Sequence, residues 1–258
     1  MTERDGADDQ MTGALSLPLR TPAKRLGVVV VEALVDLIVS GQLEPGDTLP
    51  PELPLGQQFG VSRTVLRESI KKLEEKGLVT VSQGRGTVVQ PTRSWNMLDR
   101  VVLEALIAHD RSLGVLDELT VVRAQLESAM ARETAATRSP AELEALRGIL
   151  EEMRTSLDDV PRFLAADVAF HETVMALSHN RLAESIARSL FERARESSRY
   201  SVDVPATFHE QTLQEHEQVF AAIAAGSADE AASTMLAHIV DAWTRRRPAD
   251  HRGTKAAK

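Results

Sequence analysis

The sequence predicts a mainly α fold in two parts, an N-terminal winged helix-turn-helix joined to a C-terminal all-helical antiparallel bundle. Three observations carry this. Residues 49–89 read as a short helix, a glycine turn, a second helix and two β-branched strands joined by a glycine-rich tip. From residue 98 to 246 only helical patterning occurs. It is broken at intervals by Pro140, Pro161, Asn180, Pro205 and Gly226, and short loops between helices favour antiparallel neighbours.

Residues 1–20 carry Glu3, Asp5, Asp8 and Asp9 and lack the basic start and apolar run of a signal peptide, so a disordered leader is expected. A first helix is expected at 25–40, with Val28, Val31, Leu34, Val35 and Ile38 on its buried side and Gly41 ending it. Pro45-Gly46 forms a turn. Leu53, Leu55 and Phe59 give the next helix an apolar face, and Gly60 turns the chain. Ser62 then caps the second helix of the motif, its hydroxyl accepting from an orphan N–H of the first turn. Val65, Leu66, Ile70 and Leu73 recur at helical spacing, while Arg63, Arg67, Lys71 and Lys72 lie off that stripe. Gly77 supplies a left-handed stop. Strands are expected at 78–81 and 87–89, with Gln83, Gly84, Arg85 and Gly86 as the tip between them. Together these elements make a domain over 21–90.

Residues 91–97 read as a linker. Helices follow at 98–109, 115–137, 140–157, 161–178, 181–201, 206–225 and 228–246, filling a second domain over 98–246. Pro140, Pro161 and Pro205 stand near first turns, where a missing N–H costs no helical bond. The basic end, 247–258, reads as a solvated tail.

A chain of 258 residues has room for two domains. With only 3% aromatic residues the core must be aliphatic, which also argues against stacking on single-stranded nucleic acid. The net charge is −8, but acidic and basic residues roughly cancel over 24–90, so DNA binding would rest on local placement of cations. The absence of cysteine excludes disulfides and thiolate metal sites and fits a cytoplasmic location. The longest apolar candidate, 27–39, is interrupted by Glu32 and Asp36, so no membrane span is expected.

The second helix of the motif suits a duplex. Arg63 and Arg67 are one turn apart, so both can face a major groove, where Arg pairs bidentately with guanine. The glycines of the tip let backbone approach DNA, with Arg85 in or beside the minor groove. A basic helix face alone is as often simply solvated; the preceding turn and the following wing are what point to DNA. In the bundle, Asp167 and His171 are four apart and share a helix face, while His216 and His238 lie on two later helices. Three imidazoles and a carboxylate suit a divalent transition metal, although each histidine taken singly is more readily a surface or satisfied core residue. His109, His179, His209 and His251 stay under that ordinary reading.

In order, Leu43 to Pro50, Gly60 to Glu68, Leu73 to Val79 and Gly84 to Val89 resemble the winged helix-turn-helix of GntR-type regulators. The resemblance implies that Arg63, Thr64 and Arg67 contact bases or phosphates and that Gln83, Gly84, Arg85 and Gly86 enter the minor groove. After the Leu-Pro pair the family usually has Ser, then Glu and a polar or basic residue; this chain has Pro51, Glu52, Leu53 and Pro54, and an Arg commonly used near that point to touch DNA is absent. Asp167 to His171, then His216 within Gln214-Glu215-His216-Glu217, then His238, resemble the effector domain of the FadR-like branch, the FCD domain, over roughly 98–245. That resemblance implies a bundle of six or seven helices, with Asp167, His171, His216 and His238 as metal ligands and small carboxylates as effectors. It matches Arg123 to a cavity-facing Arg, whereas the spacing alone equally allows an ion pair with Glu127. It places Asn180 near the pocket, a position that helix capping explains equally well. Trp95 to Asp99 is similar to a pattern in members that answer to sugar acids, and Trp95 could also simply anchor the linker.

The resulting expectation is a homodimeric regulator, a repressor, that binds a palindromic double-stranded operator and a small carboxylate, a sugar acid or related organic acid. Its expected cofactor is a divalent transition metal, zinc first, with nickel and manganese also compatible. The chain is not expected to be an enzyme. The alternatives are a non-haem metal enzyme using the His/Asp site, which lacks an evident general base, and a regulator whose metal is purely structural.

Overall fold

The computed structural model describes residues 23–196 and 206–247. The expected leader, the end of the helix expected at 181–201, and the tail beyond Arg247 lie outside the described residues. The order is α1 (Ala23–Val39), α2 (Glu52–Phe59), α3 (Arg63–Glu75), β1 (Val79–Ser82), β2 (Gly86–Val89), a 3-10 turn (Thr92–Ser94), α4 (Arg100–His109), α5 (Gly114–Thr137), α6 (Pro140–Thr155), α7 (Val160–Leu177), α8 (Arg181–Glu196), α9 (Ala206–Ala225) and α10 (Ala228–Arg246). The mainly α reading therefore holds, with a winged reading head ahead of a helical bundle. Among the described residues no helix is long and apolar enough to cross a membrane.

The reading head closes over α1. Val30, Val31, Leu34, Val35 and Ile38 pack with Leu66, Ile70 and Leu73 of α3 and with Leu49, Leu55, Val79 and Val89. Val28, expected inside, is exposed, and Val30 takes its place. Four successive valines carry no helical phase, so the pattern could not choose among them. Leu53, also expected inside, is exposed. The contact of α2 is made by Leu55 and Gly56, where a Cβ would stand 3.3 Å from the Val61 carbonyl. Ser62 caps α3 as expected, accepting from the Val65 N–H at 3.3 Å. β1 and β2 pair antiparallel with Ser82 opposite Gly86, so Gly86 opens β2 and the tip is Gln83, Gly84 and Arg85.

The segment read as a linker is fixed to the reading head. The Trp95 indole N–H donates to the Gln90 carbonyl at 2.9 Å, and the Asn96 N–H to the Lys76 carbonyl at 2.9 Å. Gly77 has φ +73°, and a Cβ there would lie 2.0 Å from the Ser94 carbonyl oxygen, so only glycine fits this crossing. Asp99 caps α4 and also receives Lys76 Nζ at 2.5 Å. α4 then belongs to both halves: Val102 is buried in the core of the reading head, while Leu103 and Ile107 are buried with Leu116, Leu190 and Trp243 of the bundle. His109 at its end bonds Asp36 of α1 at 2.6 Å.

In the bundle, α5 lies against α7, α8, α9 and α10. Phe163, Phe170, Met153, Leu146, Met235 and Ile223 fill the main core. Local signals set the ends of its helices. Ser139 and Glu142 form a reciprocal capping box at the start of α6, and Asp159 caps α7.

Candidate metal centre and nucleic-acid interface

α7 carries Asp167 and His171 one turn apart on its buried face; α9 brings His216 and α10 brings His238 to the same point. All four are buried, and one donor atom from each lies within 4.8 Å of the others. His171 Nε2 and His238 Nε2 are 3.2 Å apart, and His216 Nε2 is 3.5 Å from Asp167 Oδ1. The opposite side of each ring is tied down. His171 Nδ1 meets Glu127 Oε2 at 2.6 Å, His216 Nδ1 meets the Thr212 carbonyl at 2.7 Å, and His238 Nδ1 meets Glu215 Oε2 at 2.9 Å. A ring whose Nδ1–H is given to an acceptor carries its lone pair on Nε2, the tautomer a metal needs. Among the described residues His216 Nε2 is buried with no hydrogen-bond partner. The donor set, its convergence and this orphaned nitrogen fit a divalent ion.

Electrostatics favour the same state. Burial, followed by the neighbouring His238, holds His216 well below the usual imidazole range, and burial lowers His238 despite the opposing Glu215 bond. Both rings are thus neutral and able to ligate. Burial would raise Asp167, but His216 and His171 more than offset it and keep the carboxyl ionised. Burial likewise opposes the Glu127 carboxylate, and Arg123 and His171 pull it down to about 2.

Arg123 is buried beside this centre. Its Nε donates to Glu127 Oε1, and its guanidinium stacks 3.6 Å over the Phe191 ring. The i, i+4 ion pair allowed by the spacing is therefore present, inside the bundle rather than on its surface. Asn180 is not brought to the centre. It is exposed, and its Oδ1 accepts from the Ala183 N–H at 3.1 Å, which caps α8. Glu215, which the Arg245 guanidinium holds at 2.6 and 2.7 Å, escaped the sequence reading as a partner of His238. The signal available was its place one residue before His216.

On the reading head Arg63, Thr64, Arg67, Gln83, Gly84, Arg85 and Gly86 are all exposed. α3 thus presents the expected cations outward, and the tip residues stand at the end of the wing. Arg67 Nε is engaged by Glu52, at 2.8 and 3.1 Å from its two oxygens.

Residues 26–89 match the family of bacterial regulatory proteins called the gntR family, and residues 118–241 match the FCD domain. The galactonate operon transcriptional repressor of Escherichia coli (strain K12) is 33% identical over 218 residues, 81% of this chain and 92% of the relative. The HTH-type transcriptional regulator LutR of Bacillus subtilis (strain 168) is 32% identical, over 80% of this chain and 94% of its own. The solved structure of Lar, which "controls the expression of the Listeria monocytogenes agr system and mediates virulence", overlays with a TM-score of 0.53. It is 20% identical, covers 89% of this chain and 98% of its own, and supports the fold alone. These families and relatives are regulators of transcription, not enzymes, which sets aside the metal-enzyme alternative. The chain belongs to the GntR family, as a DNA-binding transcriptional regulator whose helical half is an FCD domain.

Proposed function

We propose that this regulator is a cytoplasmic, homodimeric repressor whose grip on a palindromic operator is set by a divalent metal and a small hydroxy-carboxylate. The carrying observation is the orientation of three imidazoles, each with Nδ1 anchored and Nε2 turned to a shared point beside Asp167. Asp167, His171, His216 and His238 would hold the ion, with zinc the first choice and nickel and manganese compatible with the same donors. When bound, the ion supplies a Lewis-acidic centre for a carboxylate oxygen. The reading head, 21–90, would meet DNA through Arg63, Thr64 and Arg67 in the major groove and Gln83 to Gly86 in the minor groove. Residues 91–97 and the bundle, 98–246, would carry the response. Two copies related by a two-fold axis match a palindromic site. The class of effector is supported by the relative that represses a galactonate operon and by the segment Trp95 to Asp99.

Arg123 is the partner proposed for the effector's carboxylate, which would have to compete with Glu127. A second reading rests on that same pair: Arg123 serves to hold Glu127, and Glu127 holds His171. Under it, Arg123→Gln weakens metal binding; under the first reading it weakens effector binding at unchanged metal content. Asn180 stays a candidate contact only if the bundle end rearranges on binding, since its side chain now caps α8.

Elemental analysis with thermal melting tests the proposal. Purified protein should carry about one ion per chain, and a hydroxy-carboxylate at a hundredfold excess over its Kd should add about 2.7 kcal/mol of stability, lost on chelation. Metal-free protein that melts as the loaded form does, with no response to any carboxylate, would leave only the DNA-binding half standing.

A further inference from the structure

His209 is only 4% exposed, yet among the described residues neither of its ring nitrogens has a hydrogen-bond partner. Its ring packs against Phe163 with centroids 4.6 Å apart. Buried imidazoles ordinarily bond at least one nitrogen, so packing alone does not account for this one. Its position says what could satisfy it. On α9 it stands seven residues before His216, two turns away, so the two rings share a face about 10 Å apart along the axis. On α7, Phe163 likewise precedes Asp167 by one turn. α10 runs the other way, with Glu215 opposite both His238 and Arg245, so Trp243 lies beyond His238 towards the same end of the bundle. There Trp243 Nε1 donates to Asp117 Oδ1 at 2.7 Å, and a small cavity lies between α5, α8 and α10, lined by Leu116, Arg123, Phe191 and Trp243.

We propose that His209 is the far anchor of the effector site and takes the hydroxyl end of a linear polyhydroxy monocarboxylic acid whose carboxylate lies at the metal centre. This deepens the proposed function and rests on it. A neutral imidazole has one N–H to give and one lone pair to fill. A hydroxyl can do both, whereas a second carboxylate only accepts and would leave one nitrogen unpaired. The separation selects for length: a three-carbon acid falls short, and a six-carbon chain ending in a hydrogen bond of about 2.8 Å spans it.

The test is calorimetric binding of D-gluconate, adipate and L-lactate to metal-loaded full-length protein and its variants. His209→Phe keeps the contact with Phe163 and removes both polar atoms. It should weaken D-gluconate about tenfold or more, while metal content and L-lactate binding stay as in the wild type. His209→Gln retains a donor and an acceptor and should recover most of the loss. Adipate should bind more weakly than D-gluconate to the wild type and respond little to either variant. Unchanged D-gluconate binding in His209→Phe, or equal losses in the Phe and Gln variants, would overturn the assignment while leaving the metal and carboxylate reading intact. Wild-type protein that binds none of the three acids would overturn both.

Discussion

The Nε of Arg67 on α3 donates to both carboxylate oxygens of Glu52 on α2, at 2.8 and 3.1 Å. Arg67 is 69% exposed, and such surface pairs contribute about 0–1 kcal/mol, so this one is better understood as aiming the side chain than as holding the fold. Among the described residues the two Nη amines of Arg67 have no partner, which leaves the outer fork of the guanidinium open to the DNA contact proposed for it. The Glu52 carboxylate also repels phosphate on that side of the guanidinium.

Arg67→Ala and Arg63→Ala should each lower operator affinity by about 1–3 kcal/mol, roughly 5–150-fold, with the bundle still folded. Glu52→Gln should instead cut the ratio of specific to non-specific binding, because it frees Arg67 to wander and removes repulsion from the backbone. Titrations of operator and random duplexes at one fixed salt concentration check this. A ratio that holds or rises in Glu52→Gln would rule out the aiming role.

Removing the outer partners of the histidines should act on the metal. Glu127→Gln takes the negative charge from behind His171, and Glu215→Gln does the same behind His238. Losses of such partners typically cost 10–100-fold in metal affinity. Competition with a chromophoric chelator measures it directly, and affinities unchanged in both variants would mean that the rings are set by packing alone.

The cluster of Asp167, His171, His216 and His238 was legible because Asp167 and His171 sit one turn apart and the order of the later histidines follows a family. Their supports were not. Glu127 is 44 residues from His171, and nothing local in the sequence marks a carboxylate that tertiary packing turns towards an imidazole. Arg123 shows the same limit: its spacing from Glu127 announced a pair, but not its burial against Phe191. Helix starts were plain at Ser62, which caps α3, and at Pro140, which opens α6, whereas the capping box of Ser139 and Glu142 was not read. The phase of the valine run in α1 was not, since burial there is decided by what α3 offers across the contact.

Acid should loosen the metal-free protein. His216 and His238 are held below the ordinary imidazole value of 6.5 by burial, so in the fold they stay neutral where the unfolded chain takes up protons. The unfolded state then binds more protons, and stability falls as pH drops below about 6.5 towards the folded pKa values. Chelated protein should melt lower at about pH 5.5 than at about pH 7.5, and His216→Gln should flatten part of that slope. Melting temperatures of the chelated protein that do not change across this range would contradict the assigned burial of neutral rings.

Coupling between the halves should pass through α4. Val102 is sealed in the core of the reading head, whereas Leu103, the next residue, is sealed against α5, α8 and α10. A shift of the bundle helices around Arg123 and Phe191 therefore moves a helix that the reading head cannot release without opening its own core. Leu103→Ala should cost about 2–5 kcal/mol of stability. More tellingly, it should reduce the effector-dependent change in operator affinity, which for ordinary allosteric coupling is about 1–3 kcal/mol, while effector binding to the bundle persists. Leu182→Ala, at an exposed position on α8, serves as the control and should leave the response intact. Operator titrations with and without effector, run beside calorimetry of the effector alone, separate the two terms. A full response in Leu103→Ala at a temperature where it is folded would show that the signal reaches the DNA by contacts other than α4.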